Sequence, residues 1–239
     1  MLKVDSVSAG YGKLQILTDV SLEALPGELT IVVGPNGSGK STLLKSVAGL
    51  TNIYKGSVSM DGKTLSGHPP HVIARSGLAY LPQTESVFTK LSVTENFKMA
   101  AYMVSRSEYE ARLKDSLEIF PQLNSYLGSK VVNLSGGERQ MVAMTMALLR
   151  KPQVIMFDEP TANLSPKYAT DVLKTIQKLG KERGLTIVLV EQNAKKALEI
   201  GDKAYLLVGG KNAFIGGAKE LLSHQELARM YLGMKAASA

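Results

Sequence analysis

The 239-residue sequence contains no cysteine and no tryptophan, and only three histidines. Without cysteine there is no disulfide, no thiol nucleophile and no cysteine-ligated zinc, so stability must come from the core that a chain of this length can bury. The sequence has no stretch of 18 apolar residues, so no segment is expected to cross a membrane. The opening segment MLKVDSVSAGYGK has neither an apolar h-region nor a small-residue cleavage site, and no signal peptide is expected. The sequence also lacks internal repeats, low-complexity tracts and runs of five like charges. The 28 basic residues exceed the 21 acidic ones by a scattered net +7. Nucleic acid, an anionic membrane surface, bound phosphate or a plain solvated surface would each fit that balance, but a nucleic-acid tail would need a clustered run.

The remaining pattern divides the chain into three parts. Up to about residue 82 it is rich in strands, with Leu2–Val7, Leu17–Glu23 and Leu29–Val33 alternating or continuously apolar, a helix over Lys40–Leu50, and short strands near Gly56–Met60 and Gly77–Leu81. From about 92 to 150 it turns helical. Ser92 and Glu95 have the spacing of a capping box, and helical periodicity runs through Met103, then over Ser107–Phe120 and Gly137–Arg150. From Val154 strands and helices alternate: Val154–Phe157, Pro166–Lys181, Thr186–Val190, Ala194–Ile200 and Ala204–Val208, then a helical tail from Ala218 to Leu232. Such alternation predicts a parallel sheet covered by helices on both faces.

Gly34-Pro35-Asn36-Gly37-Ser38-Gly39-Lys40-Ser41, with Thr42 behind it, fits the P-loop pattern G-x-x-x-x-G-K-[ST] between a strand and a helix. Glycines let successive backbone N–H groups point into one concavity, and the helix adds the positive end of its dipole. Lys40 then meets the β- and γ-phosphates, and Ser41 offers its hydroxyl to Mg²⁺. Val154–Phe157 leads straight into Asp158 and Glu159. Ligands in open α/β sheets sit at the carboxyl ends of strands. That places Asp158 beside the phosphates as a Mg²⁺ carboxylate and Glu159 as the group that polarises the attacking water.

A second glycine-rich helix start, Asn133-Leu134-Ser135-Gly136-Gly137-Glu138-Arg139-Gln140, lies about 20 residues upstream of Asp158. This segment resembles the LSGGQ signature of ABC-type ATP-binding subunits, and the resemblance extends from about Leu2 to Leu232. It implies a P-loop NTPase fold: a RecA-like parallel-sheet core, an N-terminal antiparallel β subdomain and an inserted α-helical subdomain. Residues 1–239 would form a single nucleotide-binding domain, with 1–91 and 151–239 as core and β subdomain and 92–150 as the helical part. In this family Ser135, Gly136, Gly137 and Glu138 of one subunit close over ATP held by another. The resemblance also puts Tyr11 against the adenine and makes Gln83 the Q-loop residue that senses Mg²⁺ and couples to the membrane subunit.

Two positions depart from the family pattern. Gln192 stands where a histidine is usual, and its amide can donate to the γ-phosphate but carries no proton charge. Ser165 stands where an aspartate usually ends the D-loop, here Ala162-Asn163-Leu164-Ser165. Val190-Glu191-Gln192-Asn193-Ala194, Leu164-Ser165-Pro166, Pro69-Pro70-His71 and Tyr231-Leu232-Gly233 are similar to the ATP-binding subunits of branched-chain amino acid importers. Urea and short-amide importers share much of this, export remains open because the permease sets direction, and ABC heads with nucleic-acid roles are the alternative outside transport. The resemblance implies an ATPase using ATP and Mg²⁺. Its expected partners are permease subunits, a second ATP-binding subunit (a homologous heterodimer, or a homodimer in isolation) and an extracytoplasmic binding protein, with no nucleic acid. The expected place is the cytoplasmic face of the cell membrane.

Overall fold

The computed structural model describes residues 1–84 and 86–232. Two sheets organise it. The first is antiparallel, ordered β2-β1-β4-β5, from β1 (Leu2–Tyr11), β2 (Leu14–Ala24), β4 (Asn52–Met60) and β5 (Lys63–Thr64). The second is ordered β10-β9-β3-β8-β7-β6, from β3 (Leu29–Val33), β6 (Leu78–Leu81), β7 (Val154–Asp158), β8 (Thr186–Val190), β9 (Lys203–Val208) and β10 (Lys211–Gly217). Its strands run parallel except for β10, which pairs antiparallel with β9 along one edge. The sheet is therefore mixed rather than wholly parallel.

The central strands are continuous apolar runs because both of their faces are covered. On β7, Ile155 and Phe157 enter one core while Val154 and Met156 enter the other. On β8, Ile187 and Leu189 likewise oppose Val188 and Val190. The second core, which also takes in β1 and β2, holds Leu43 and Leu44 of α1 (Lys40–Val47). The first holds Phe97 of α3 (Val93–Ala100), Val142 and Met144 of α5 (Gly136–Leu149), and Val172 and Ile176 of α6 (Pro166–Arg183). Asp158 continues the face of Val154 and Met156, which points it toward α1.

The capping box predicted at Ser92 is present: the Glu95 backbone N–H donates to Ser92 Oγ, and the Glu95 carboxylate accepts from the Ser92 N–H. Asn96, fully buried in α3, accepts from the Phe88 N–H at 2.7 Å and donates to the Phe88 and Ser92 carbonyls at 3.0 and 2.9 Å. It thereby ties the loop after Gln83 to the helical layer formed by α3, α4 (Arg106–Ile119) and α5. Several boundaries differ from expectation. The first helix stops at Val47 because Gly49 takes a φ of 74°. A helix missed in the sequence, α2 (Pro70–Arg75), starts with proline, whose fixed φ suits a first turn. α7 spans Ala194–Ile200 as expected. The tail helix breaks at His224 into α8 (Ala218–Ser223) and α9 (Gln225–Leu232). Gly233, the last residue of the expected tail motif, lies outside the described residues.

Candidate nucleotide site

The P-loop runs from the end of β3 into α1. A Cβ on Gly34 would collide with the Leu207 carbonyl oxygen, so only glycine lets the chain pass β9 at this point. Gly39 takes a φ of 101° at the N-cap of α1, where no side chain caps the helix and its first N–H groups stay free for an anion. Lys40 is buried, and its ammonium donates to the carbonyls of Gly34 and Pro35 at 2.9 and 3.0 Å, which holds the loop in a closed arch. Burial pushes the Lys40 pKa down, and the nearby Glu159 and Asp158 charges oppose that shift. Ser38 is 3% exposed and its Oγ has no partner among the described residues. An arch with free helix-start donors, a buried ammonium and an orphaned hydroxyl fits a phosphate chain.

Hard oxygen donors meet at the same place. Ser41 Oγ donates to Asp158 Oδ1 at 2.9 Å, and the Tyr80 hydroxyl donates to Asp158 Oδ2 at 3.0 Å. Among the described residues no group of three or more His, Cys, Asp or Glu side chains could hold a metal by itself. That suits Mg²⁺, which takes one or two protein oxygens and completes its shell with phosphate and water.

Glu159 opens the turn after β7 with a φ of 50°, a strained value for a residue with a side chain. The turn is anchored to the end of β8: Glu159 N–H donates to the Val190 carbonyl at 2.9 Å, and Thr161 N–H donates to Glu191 Oε1 at 3.1 Å. Glu191 is 2% exposed, and burial pushes its pKa up. Gln83, expected at the metal, lines the same cleft as Lys40 and Ser41, and its amide nitrogen donates to Glu159 Oε2 at 3.3 Å. A cleft of about 540 Å³ gathers Tyr11, Asn36, Lys40, Gln83, Glu159 and Gln192 around this chemistry, with Gly37, Ser41 and Thr42 also in its wall. Tyr11 is 43% exposed, leaving a ring face open for stacking.

The second cradle is built separately. Ser135 caps α5, and its N–H and Oγ both donate to Glu138 Oε2, at 2.7 and 2.9 Å, in a capping box. The N–H donated by Ser135 holds the Glu138 pKa down, so this carboxylate stays charged and turned back on its own helix. A Cβ on Gly136 would sit 3.1 Å from Leu164 Cδ2, and one on Gly137 would sit 2.8 Å from Tyr168 Cδ1. Residues 135–138 are not among those lining the cleft around Lys40. One chain thus carries two separate glycine-rich helix starts, at α1 and at α5.

The sequence pattern did not single out Tyr80, Asn96 or Tyr168, and it used Leu164 and Glu191 only as parts of family motifs. A signal existed for two of them. Tyr80 interrupts an otherwise apolar strand beside Gln83, and Glu191 is a charged residue that directly extends the buried run Thr186–Val190.

The family model for the ABC transporter matches residues 17–162. A probable branched-chain amino acid transport ATP-binding protein LivF of Archaeoglobus fulgidus is 50% identical over 234 residues, covering 98% of this chain and 99% of the relative. The high-affinity branched-chain amino acid transport ATP-binding protein BraG of Pseudomonas aeruginosa is 38% identical over 233 residues, covering 98% of this chain and 100% of the relative. Among solved structures, a dimeric ATP-binding cassette in a post-hydrolysis state, bound to ADP and Pi, superposes with a TM-score of 0.79 at 25% identity, covering 91% of this chain and 99% of that one.

Proposed function

The chain belongs to the ABC transporter family and is an ATPase coupled to transport, and from that premise we propose that it energises the uptake of branched-chain amino acids through partner permeases. The substrate class rests on the two relatives, whose names both specify branched-chain amino acid transport. No helix among the described residues is long and apolar enough to cross a membrane, so membrane attachment falls to the permease. A groove of about 630 Å³ between the central sheet and the helical layer fits that role. Met99, Tyr102 and Met103 present large apolar side chains there, Tyr102 being 76% exposed, and Arg75 borders them. An extracytoplasmic binding protein would deliver the substrate to the permease.

The observation that carries the mechanism is the separation of the two cradles. The arch of Gly34–Lys40 would hold the phosphates, Tyr11 would stack on the adenine, and Ser41 and Asp158 would hold Mg²⁺. The chemistry supplied by Mg²⁺ at that place would be neutralisation of the charge that develops on the phosphates. Glu159, aimed by its strained turn, orients and polarises water in line with the γ-phosphate, and the Gln192 amide donates a hydrogen bond to that phosphate. Ser135 and the amides of Gly136 and Gly137 from a second ATP-binding subunit close the other side. Loss of the γ-phosphate removes the bridge, and the pair opens. Gln83 touches Glu159 at one end of its loop, and Asn96 braces the other end against the helical layer beside the permease groove.

The test is the sedimentation mass of the Glu159→Gln variant with and without ATP–Mg²⁺. The expected loss of a general base slows hydrolysis by about 10²–10⁴-fold while ATP still binds. A shift from monomer to dimer only with ATP supports the sandwich. A variant that binds ATP yet stays monomeric overturns the homodimer form and leaves a different ATP-binding partner as the requirement.

A further inference from the structure

Asp158 is 4% exposed and accepts two hydrogen bonds from side chains, one on each oxygen: Ser41 Oγ at 2.9 Å and the Tyr80 hydroxyl at 3.0 Å. β6 pairs parallel with β7, with Tyr80 opposite Met156, and both side chains turn to the face of the sheet that Asp158 continues. Strand register alone therefore delivers a phenol to the inner oxygen of this carboxylate. We propose that Tyr80 is a positioning residue: its hydroxyl fixes the rotation of the Asp158 carboxylate so that the other oxygen stays beside Ser41, and this sets the affinity of the site for divalent cation.

This inference rests on the reading of Asp158 as the Mg²⁺ carboxylate. A ligating carboxylate is itself held by hydrogen bonds, and removing such an outer partner typically costs about 10–100-fold in metal affinity or activity. Packing does not explain the hydroxyl. The Tyr80 ring packs partly buried against the second core, a role that phenylalanine would also fill, while the oxygen reaches Asp158. The Tyr80 hydroxyl is the donor in this contact, because an ionised carboxylate only accepts. Ser41 by itself would leave the carboxylate free to turn about the bond to Cβ, because its contact pins only one oxygen.

The experiment measures ADP affinity calorimetrically in excess Mg²⁺ and in EDTA, for wild type, Tyr80→Phe and Asp158→Asn. The ratio of the two affinities is the metal's coupling to the nucleotide. For Tyr80→Phe the EDTA value stays at wild type while the gain from Mg²⁺ falls by about 10-fold or more. Mn²⁺ titrated into the ADP complex then leaves more free-ion EPR signal than wild type at equal concentration. An unchanged ratio overturns the proposal, and so does an equal loss with and without metal, which would make the hydroxyl a general support of the pocket. Asp158→Asn separates the two failures. If it abolishes the gain from Mg²⁺ while Tyr80→Phe does not, only the role of Tyr80 falls. If it keeps the gain, the metal reading of Asp158 falls with it.

Discussion

Replacing Glu191 by alanine and by glutamine separates two things this residue does. The carboxylate is buried, and its Oε1 is the acceptor for the Thr161 N–H two residues beyond Glu159. Alanine strands that N–H, at a cost of about 1–3 kcal/mol for an unsatisfied buried donor, and frees the turn that aims Glu159. Misplacing a catalytic group by about 1 Å can cost about 10²-fold in rate, so kcat should fall by about 10–100-fold. The KM for ATP should hold, because the arch around Lys40 is untouched. Glutamine keeps an acceptor oxygen and should retain most of the kcat. The charge acts separately. Burial raises the Glu191 pKa and the Glu159 charge adds to the rise, while hydrogen bonds from Thr161 and Gln192 oppose it; Lys196 lines the same cleft. A carboxyl whose folded pKa lies above its unfolded value contributes stability that is fully present below the ordinary carboxylate range. That stability is lost as pH rises through the raised value. Glu191→Gln should therefore be more stable than wild type at pH 8, with the gap narrowing toward pH 5, as read by urea unfolding. A Glu191→Ala enzyme with wild-type kcat, or a Glu191→Gln protein with the wild-type pH slope of stability, would refute this reasoning.

Asn96→Ala should destabilise the fold by about 1–3 kcal/mol, since it strands the Phe88 N–H while the Phe88 and Ser92 carbonyls keep the backbone N–H groups of Leu91 and Asn96, and thermal unfolding checks this. The same variant should raise proteolytic cleavage between Gln83 and Leu91, because the brace on that loop is gone. Gln192→His places a group with an ordinary pKa of about 6.5 in the cleft with Glu159 and Lys40. The ATPase rate of that variant should acquire a titration near neutrality that wild type lacks, read from pH–rate profiles of the two.

The elements with strong local signals were legible in the sequence. Central strands such as Ile155–Phe157 carry apolar residues on both faces, and the Ser92–Glu95 spacing directly encodes a cap. The P-loop and the Asp158-Glu159 pair were placed by their strand context. Contacts made by register were not legible: Tyr80 reaches Asp158 only because β6 lies beside β7, strands separated in sequence by the whole helical layer. The Ser135 spacing also matches a capping box, but its glycines drew attention to anion binding, so the internal hold of Glu138 on Ser135 went unread. The antiparallel edge strand β10 was missed because its glycines and its broken pairing near Phe214 obscure the alternation. α2 is hard to see in the sequence because adjacent prolines usually interrupt a helix, whereas here the second one starts it.

Leu164 and Tyr168 fill the space a side chain would need at the two glycines beside Ser135, and Leu164 belongs to the turn that Glu159 opens. In a sandwich of two chains, the cradle a chain lends to its neighbour is thus in mechanical contact with the turn that serves its own ATP. In that proposed sandwich a shift of the turn on hydrolysis would alter, through Leu164 and Gly136, the cradle offered to the neighbour's ATP.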